Sequence, residues 1–417
     1  MRKVARRRLL YSLAAVAVVL FAIDVDPEIP ELLTRSMHTG LLRQRSAILR
    51  EQSQRIAFVL DTTRAIRDAL DPDLGWRYKA GFGTPDDHVN AQGLRGVRFY
   101  DSLPRPGVLR VAAFGDSFVY GNEVGDADAW CAVLEGDGSD MEVLNYGVGN
   151  YGLDQSFLRF QREGMAFRPD VVLVAFVPED IPRVLSVFLP FRSTSEWPLS
   201  KPRFTLRRDG SLGFVANPLP TRAAFLRLKD HPEEEVRALG RLDGWYPATL
   251  YENGFYDHVA ALRVATTVWR RLDRRFLDPE RLIRDGVFND KSPAFQLQVA
   301  IIRDFATAVR AAGATPIVLM LPDHGTLASI RASDPAVYAP LRDELVSMGL
   351  TVWDGADALS GAASAIDRVF APQLHYSKEG NRILASWLAT RFAPIRASRS
   401  AMKRTTHRSM TDRATGA

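Results

Sequence analysis

Ser117 lies in Phe114-Gly-Asp-Ser-Phe118, directly after the apolar run Val108-Leu-Arg-Val-Ala-Ala113. A glycine and a short acid place this serine where a strand breaks into a turn. At the edge of a parallel sheet, that is where a hydroxyl nucleophile is exposed. A serine hydroxyl is weakly nucleophilic without a base in reach. His375, in Leu374-His-Tyr-Ser-Lys-Glu-Gly-Asn381 just before a predicted helix, is the candidate base. Asp116 reads as structural, holding the turn through hydrogen bonds to backbone N–H groups. Asp323-His324 offers an alternative acid-base pair, with a polar loop as the simpler account. The histidines show no metal-ligand spacing, so neither metal nor cofactor is expected. Cys131 is the only cysteine, which excludes an intramolecular disulfide, and its apolar helical surroundings predict a buried packing role. Trp76, Trp197, Trp245 and Trp269 read first as packing residues, with a sugar-binding cleft as the alternative.

The elements that must position these residues alternate between strand and helix. Strands are predicted at 108–114, 141–146, 170–177, 315–321 and 350–354. Runs such as Val171-Val-Leu-Val-Ala-Phe176 are apolar throughout, as befits strands buried on both faces. Helices are predicted at 127–136, 153–165, 295–312, 336–348 and 378–392. This alternation predicts an α/β fold, an open parallel sheet with helices on both sides. The pattern is interrupted between about 183 and 290 by an insertion rich in Pro, Arg and aromatics. The insertion includes a hairpin over 204–214 turning at Asp209-Gly210 and helical stretches near 231–236 and 256–275. Its position predicts a cap over the C-terminal edge of the sheet. Residues 71–101 read as an irregular lead-in packed on the sheet, within a main domain of 71–395. Residues 26–70 read as a helical stalk or linker, or as the first helix of the domain, and 396–417 as a disordered basic tail.

The 417 residues carry a formal net charge of +5. Residues 1–8 and 396–417 each contribute a net +5, so the body between them stands at −5. The basic character belongs to the ends, which gives no case for a nucleic-acid-binding face. At the N-terminus, Arg2, Lys3, Arg6, Arg7 and Arg8 precede an uncharged run from Leu9 to Ile23. The run is shorter than the ~20 residues that span a bilayer, and snorkelling arginines extend it. Leu20-Phe-Ala-Ile-Asp24 lacks a small-residue cleavage pattern, which favours a retained single-pass anchor within 1–25 over a cleaved signal peptide. The basic flank then predicts a cytoplasmic N-terminus and an extracytoplasmic main domain, periplasmic in a Gram-negative cell.

Taken together, the blocks Gly115-Asp-Ser-Phe118, Asn145-Tyr-Gly-Val-Gly-Asn-Tyr-Gly-Leu-Asp-Gln155, Arg168-Pro-Asp-Val-Val-Leu-Val-Ala-Phe176 leading to Pro178-Glu-Asp180, and His375 resemble the SGNH/GDSL hydrolase superfamily. The lead-in Leu74-Gly-Trp-Arg-Tyr-Lys79 and Asn90-Ala-Gln-Gly-Leu-Arg95 is similar to membrane-anchored bacterial members. The resemblance spans roughly 71–393. It implies a flavodoxin-like three-layer sandwich with a five-stranded parallel sheet, and acyl-ester chemistry with Ser117 as nucleophile and His375 as base. It also implies an oxyanion hole from the serine N–H, a glycine N–H and an asparagine amide. The glycine position falls on Asn150, or on Gly149 if the turn shifts by one, and the asparagine position falls on Glu179. An aspartate that would orient the histidine is replaced by Gln373, with Pro372 before it. Asp354 and Asp367 are the nearby carboxylates that a fold could bring up. An ionised Glu179 beside an oxyanion would repel it. A lost triad carboxylate costs up to about 10⁴-fold in turnover. The resemblance implies an extracytoplasmic, membrane-anchored esterase or O-acyltransferase acting on an acylated carbohydrate, acetyl esters first. A lipase is a further option. The alternative is a catalytically impaired relative that binds glycan or serves as a scaffold in the cell envelope.

Overall fold

A computed structural model describes residues 44–61, 68–136, 138–194, 196–252, 258–272, 278–361 and 366–414. Five parallel strands form the central sheet: β1 (Leu109–Phe114), β2 (Met141–Asn145), β3 (Val171–Phe176), β4 (Thr315–Met320) and β5 (Val352–Asp354). Each lies within two residues of its expected bounds. The spatial order is β2-β1-β3-β4-β5, with every pairing parallel. This is the flavodoxin-like arrangement expected from the sequence, and its topological switch point lies between β1 and β3.

Strand periodicity divides the core into two layers. Ala112, Phe114, Val172, Val174, Phe176, Val318 and Met320 pack with the helix Pro293–Ala311 on one face. Val111, Ala113, Val171, Leu173, Ala175, Ile317 and Leu319 pack on the other face with Trp130 and with Leu384, Leu388 and Phe392 of the last helix. Cys131 is buried in this second layer, as expected. The last helix spans Lys378–Ala414, so helix continues into the segment expected to be a disordered tail.

The insertion contains a hairpin, Arg203–Leu206 with Leu212–Val215, and helices at Arg222–Asp230, Pro232–Gly240 and Ala260–Leu272. At the hairpin tip the Arg207 N–H donates to Ser211 O, and Gly210 has φ +78°. The loop is therefore a three-residue one with glycine in the left-handed position, wider than the two-residue turn expected. The helix Arg45–Val59 is no free stalk. Its Ile48, Leu49 and Ile56 are buried with Phe188, Phe225 and Leu239 of the insertion. Gln52 and Arg55 donate to the carbonyls of Thr194 and Glu196 at 2.9 and 3.0 Å. Lys201 of the insertion is fully buried against Asp154, which ties this segment to the helix after β2. The lead-in forms the hairpin Asp68–Asp71 with Gly75–Tyr78 and docks by Trp76 Nε1 on Gly149 O at 3.0 Å. The apolar run Leu9–Ile23 lies outside the described residues. Among the described residues, no helix is long and apolar enough to cross a membrane.

Candidate active site

β1 ends at Phe114, and the chain turns through Gly115 into a one-turn helix, Ser117–Tyr120. The turn requires glycine, because a Cβ at Gly115 would lie 2.7 Å from the Ala175 carbonyl of β3. Asp116 caps the helix, accepting the Phe118 N–H at 2.9 Å, and so takes the structural role expected of it. Gly121 closes the helix with φ +84°, and the chain leaves through Asn122 and Glu123. The site thus sits at the C-terminal edge of the sheet, beside the switch point.

Ser117 and His375 meet here although 258 residues separate them. Ser117 Oγ is 2.9 Å from His375 Nε2. The other ring nitrogen, His375 Nδ1, is 2.8 Å from Glu123 Oε2. Glu123 also accepts two backbone N–H groups, from Gln373 at 2.7 Å and His375 at 2.9 Å. Burial opposes the charge on Glu123. The two N–H donors and the imidazole outweigh it and hold the carboxyl below its usual range. Serine, imidazole and carboxylate therefore stand in one hydrogen-bonded line, the arrangement that lets a serine lose its proton to a histidine oriented and stabilised by an acid.

Glu123 is the residue that sequence reasoning missed. The resemblance implies a carboxylate just before the histidine, whereas here it comes from six residues after the serine. Its backbone has φ +68°, a left-handed conformation rare for glutamate. The one sequence cue is its place two residues after Gly121, in a turn already tied to Ser117. Asp354 is committed to the Tyr338 hydroxyl at 2.6 Å and to the Ala356 N–H at 3.0 Å. Asp367 lies at the surface, 4.0 Å from His324. Gln373 is exposed and takes part through its backbone N–H, not through the side chain the sequence suggested.

The other candidates divide. Gly149 and Asn150 line a pocket of about 640 Å³ with Ser117, Asn122 and His375. The Gly149 N–H is taken by Tyr78 Oη at 2.6 Å. Asn150 has φ +63°, a conformation asparagine tolerates, and its N–H has no acceptor among the described residues. Glu179 does not line this pocket. Its side chain is 62% exposed and pairs with Arg183 Nη2 at 3.3 Å, so the expected repulsion at the oxyanion position does not arise from its placement. Asp323 caps the helix His324–Arg331 through the Thr326 N–H at 2.7 Å, the polar-loop account of that pair. Trp76 and Trp197 line the pocket, and Trp197 is stacked on Phe58 with ring centroids 5.2 Å apart. Trp245 and Trp269 lie elsewhere. Among the described residues, no group of His, Cys, Asp or Glu could hold a metal ion.

A doubly wound α/β sandwich with a serine, a histidine and a glutamate aligned at its switch point defines the class. No family model matches the chain, and no curated protein matches it. Among solved structures, the chain is similar to a member of the lipolytic G-D-S-L family from Veillonella parvula, at 10% identity over 67% of this chain and 95% of that one, with a TM-score of 0.32. It is also similar to the lipase/acylhydrolase from Enterococcus faecalis, at 12% identity over 68% and 95% of the two chains, TM-score 0.33. An acetyl xylan esterase from the rumen bacterium Butyrivibrio proteoclasticus is similar at 10% identity over 71% and 64%, TM-score 0.30.

Proposed function

We propose that this protein is a serine esterase of SGNH type with Ser117 as nucleophile, His375 as general base and then acid, and Glu123 as the orienting carboxylate. The observation that carries this reading is the unbroken line from Ser117 Oγ through His375 to Glu123, at 2.9 and 2.8 Å. Ser117 Oγ attacks the ester carbonyl while its proton passes to His375 Nε2. The negative charge gathers on the carbonyl oxygen, near the Ser117 N–H at the first turn of its helix and the Asn150 N–H. Collapse of the tetrahedral species breaks the bond to the alcohol oxygen, which leaves with the proton from His375. Water, activated by the same imidazole, then releases the acid. A sugar hydroxyl in place of water would make the protein an O-acyltransferase through the same acyl-enzyme.

We assign the substrate class as an acylated carbohydrate carrying a small acyl group such as acetyl. The pocket supports this by combining aromatic surfaces, Trp76 and Trp197, with polar groups from Asn122, Asn150 and Lys79. An extracytoplasmic main domain tethered by Leu9–Ile23 fits an envelope glycan. The two substitutions that favoured a non-catalytic relative both have accounts: Glu179 is held by Arg183, and Glu123 occupies the place left by an acid at 373.

The test is a fluorophosphonate probe on the full chain, with p-nitrophenyl acetate turnover beside it. Labelling should map to Ser117, and Ser117→Ala should abolish both signals. A folded wild-type protein with neither labelling nor serine-dependent turnover would sink the proposal.

A further inference from the structure

Three carboxylates converge on one buried guanidinium beneath the site. Arg183 follows β3 on the short helix Asp180–Arg183, and its side chain is 4% exposed. Nη1 lies 3.3 Å from Asp116 Oδ2, contacts Asp180 Oδ1, and donates to the Tyr151 carbonyl at 3.1 Å. Nη2 lies 3.3 Å from Glu179 Oε2.

Asp116 creates a difficulty at the reacting atom. Its Oδ1 is occupied by the Phe118 N–H, while Oδ2 lies 3.4 Å from Ser117 Oγ. The serine hydroxyl thus has two acceptors within reach, His375 Nε2 at 2.9 Å and Asp116 Oδ2 at 3.4 Å. A proton directed to Asp116 is unavailable to the base. A bare buried carboxylate at that distance would also oppose the negative charge that develops when Oγ attacks. Arg183 Nη1 meets the same oxygen, Oδ2, that competes for the serine proton. Through Nη2 it also holds Glu179, the acid at the position where the resemblance implies an asparagine donor.

Resting on the esterase reading above, we propose that Arg183 is a positioning residue for the Ser117 reaction: it neutralises Asp116 and restrains Glu179, so that the serine proton goes to His375 and the oxyanion meets no uncompensated carboxylate. Burial disfavours the charge on the guanidinium, and Asp180, Asp116 and Glu179 outweigh that cost.

The test is a mutant cycle between positions 116 and 183 in the full chain, read as kcat and KM on p-nitrophenyl acetate and as the rate of Ser117 labelling. Folding is checked by thermal melting and near-UV circular dichroism, and rates are compared below every transition. Arg183→Met should lower kcat by about 100-fold with KM within about 3-fold, the pattern of an effect confined to the transition state. Arg183→Lys, which keeps a charge, should stay within about 10-fold of wild type. Asp116→Asn in the Arg183→Met background should recover about 10-fold or more, because asparagine still caps the helix but carries no charge. A folded Arg183→Met protein with unchanged kcat, or a double variant no faster than that single variant, overturns the inference. If Arg183→Met does not fold, the remaining pair decides. In an Asp116→Asn background, Arg183→Met should then cost less than about 3-fold, and a larger loss overturns the proposal. Wild-type protein that is not labelled at Ser117 sinks the esterase reading itself. Labelled wild type with an indifferent Arg183 sinks only this inference.

Discussion

Glu123 combines an unfavourable backbone with a favourable set of partners. Left-handed backbone at a non-glycine residue costs about 1–2 kcal/mol. Here it turns the carboxylate back toward the segment Gln373–His375, where two N–H groups and an imidazole receive it. Strain that brings a functional group to its target is typical of such sites. Glu123→Gln should keep KM and lower kcat by about 10²- to 10⁴-fold, since a neutral amide does not stabilise imidazolium. Its effect on stability should depend on pH. The folded carboxyl titrates below its ordinary value of 4.5, so its contribution is fully present above that value and disappears as pH falls through the lower folded one. The melting difference between wild type and Glu123→Gln should be largest near neutrality and vanish in strong acid. A gap that persists unchanged in strong acid would contradict this assignment. Ser117 and His375 were legible in the sequence because each sits in a local pattern, after a strand and before a helix. Glu123 was not, because its partner lies 252 residues away and the pairing depends on one left-handed residue.

At the scale of elements, the strands could be read because the central ones, such as β1 and β3, are short runs, largely apolar, with buried residues on both faces. The roles of the helix Arg45–Val59 and the insertion were less legible. Their apolar positions mark them as packed but do not say against what. In the structure they pack on each other and together wall the pocket with Phe58, Leu60 and Trp197. The Lys201–Asp154 pair fastens this assembly to the sheet domain, with neither side chain exposed. Removing one partner of a buried ion pair leaves the other charge uncompensated, typically at about 3–5 kcal/mol. Lys201→Met should therefore lower the urea midpoint markedly and raise KM more than it lowers kcat, as the pocket wall loosens while the Ser117–His375 contact persists. Equal urea midpoints for the two proteins would mean that the pair does not fasten the cap.

For the whole molecule, charge and hydrophobicity are segregated along the chain. Both ends are basic, and the body that holds the site is net acidic. We propose that the N-terminal basic cluster and Leu9–Ile23 retain the protein at a membrane with the sheet domain outside the cytoplasm. N-terminal sequencing of the mature protein from its native membrane fraction should find the span intact, and a start after about residue 22 would refute retention. The positions of the strands along the chain, the break in their alternation and the residues at the ends of β1 and β3 were set out by periodicity and turn chemistry, which act over a few residues and are therefore written in the sequence. Which acid serves His375, where Glu179 points, and which N–H groups remain open beside Ser117 were decided only by tertiary structure. Each of these depends on contacts between segments distant in the chain, such as the turn after β1 meeting the loop before the last helix, and no local pattern encodes where such segments meet.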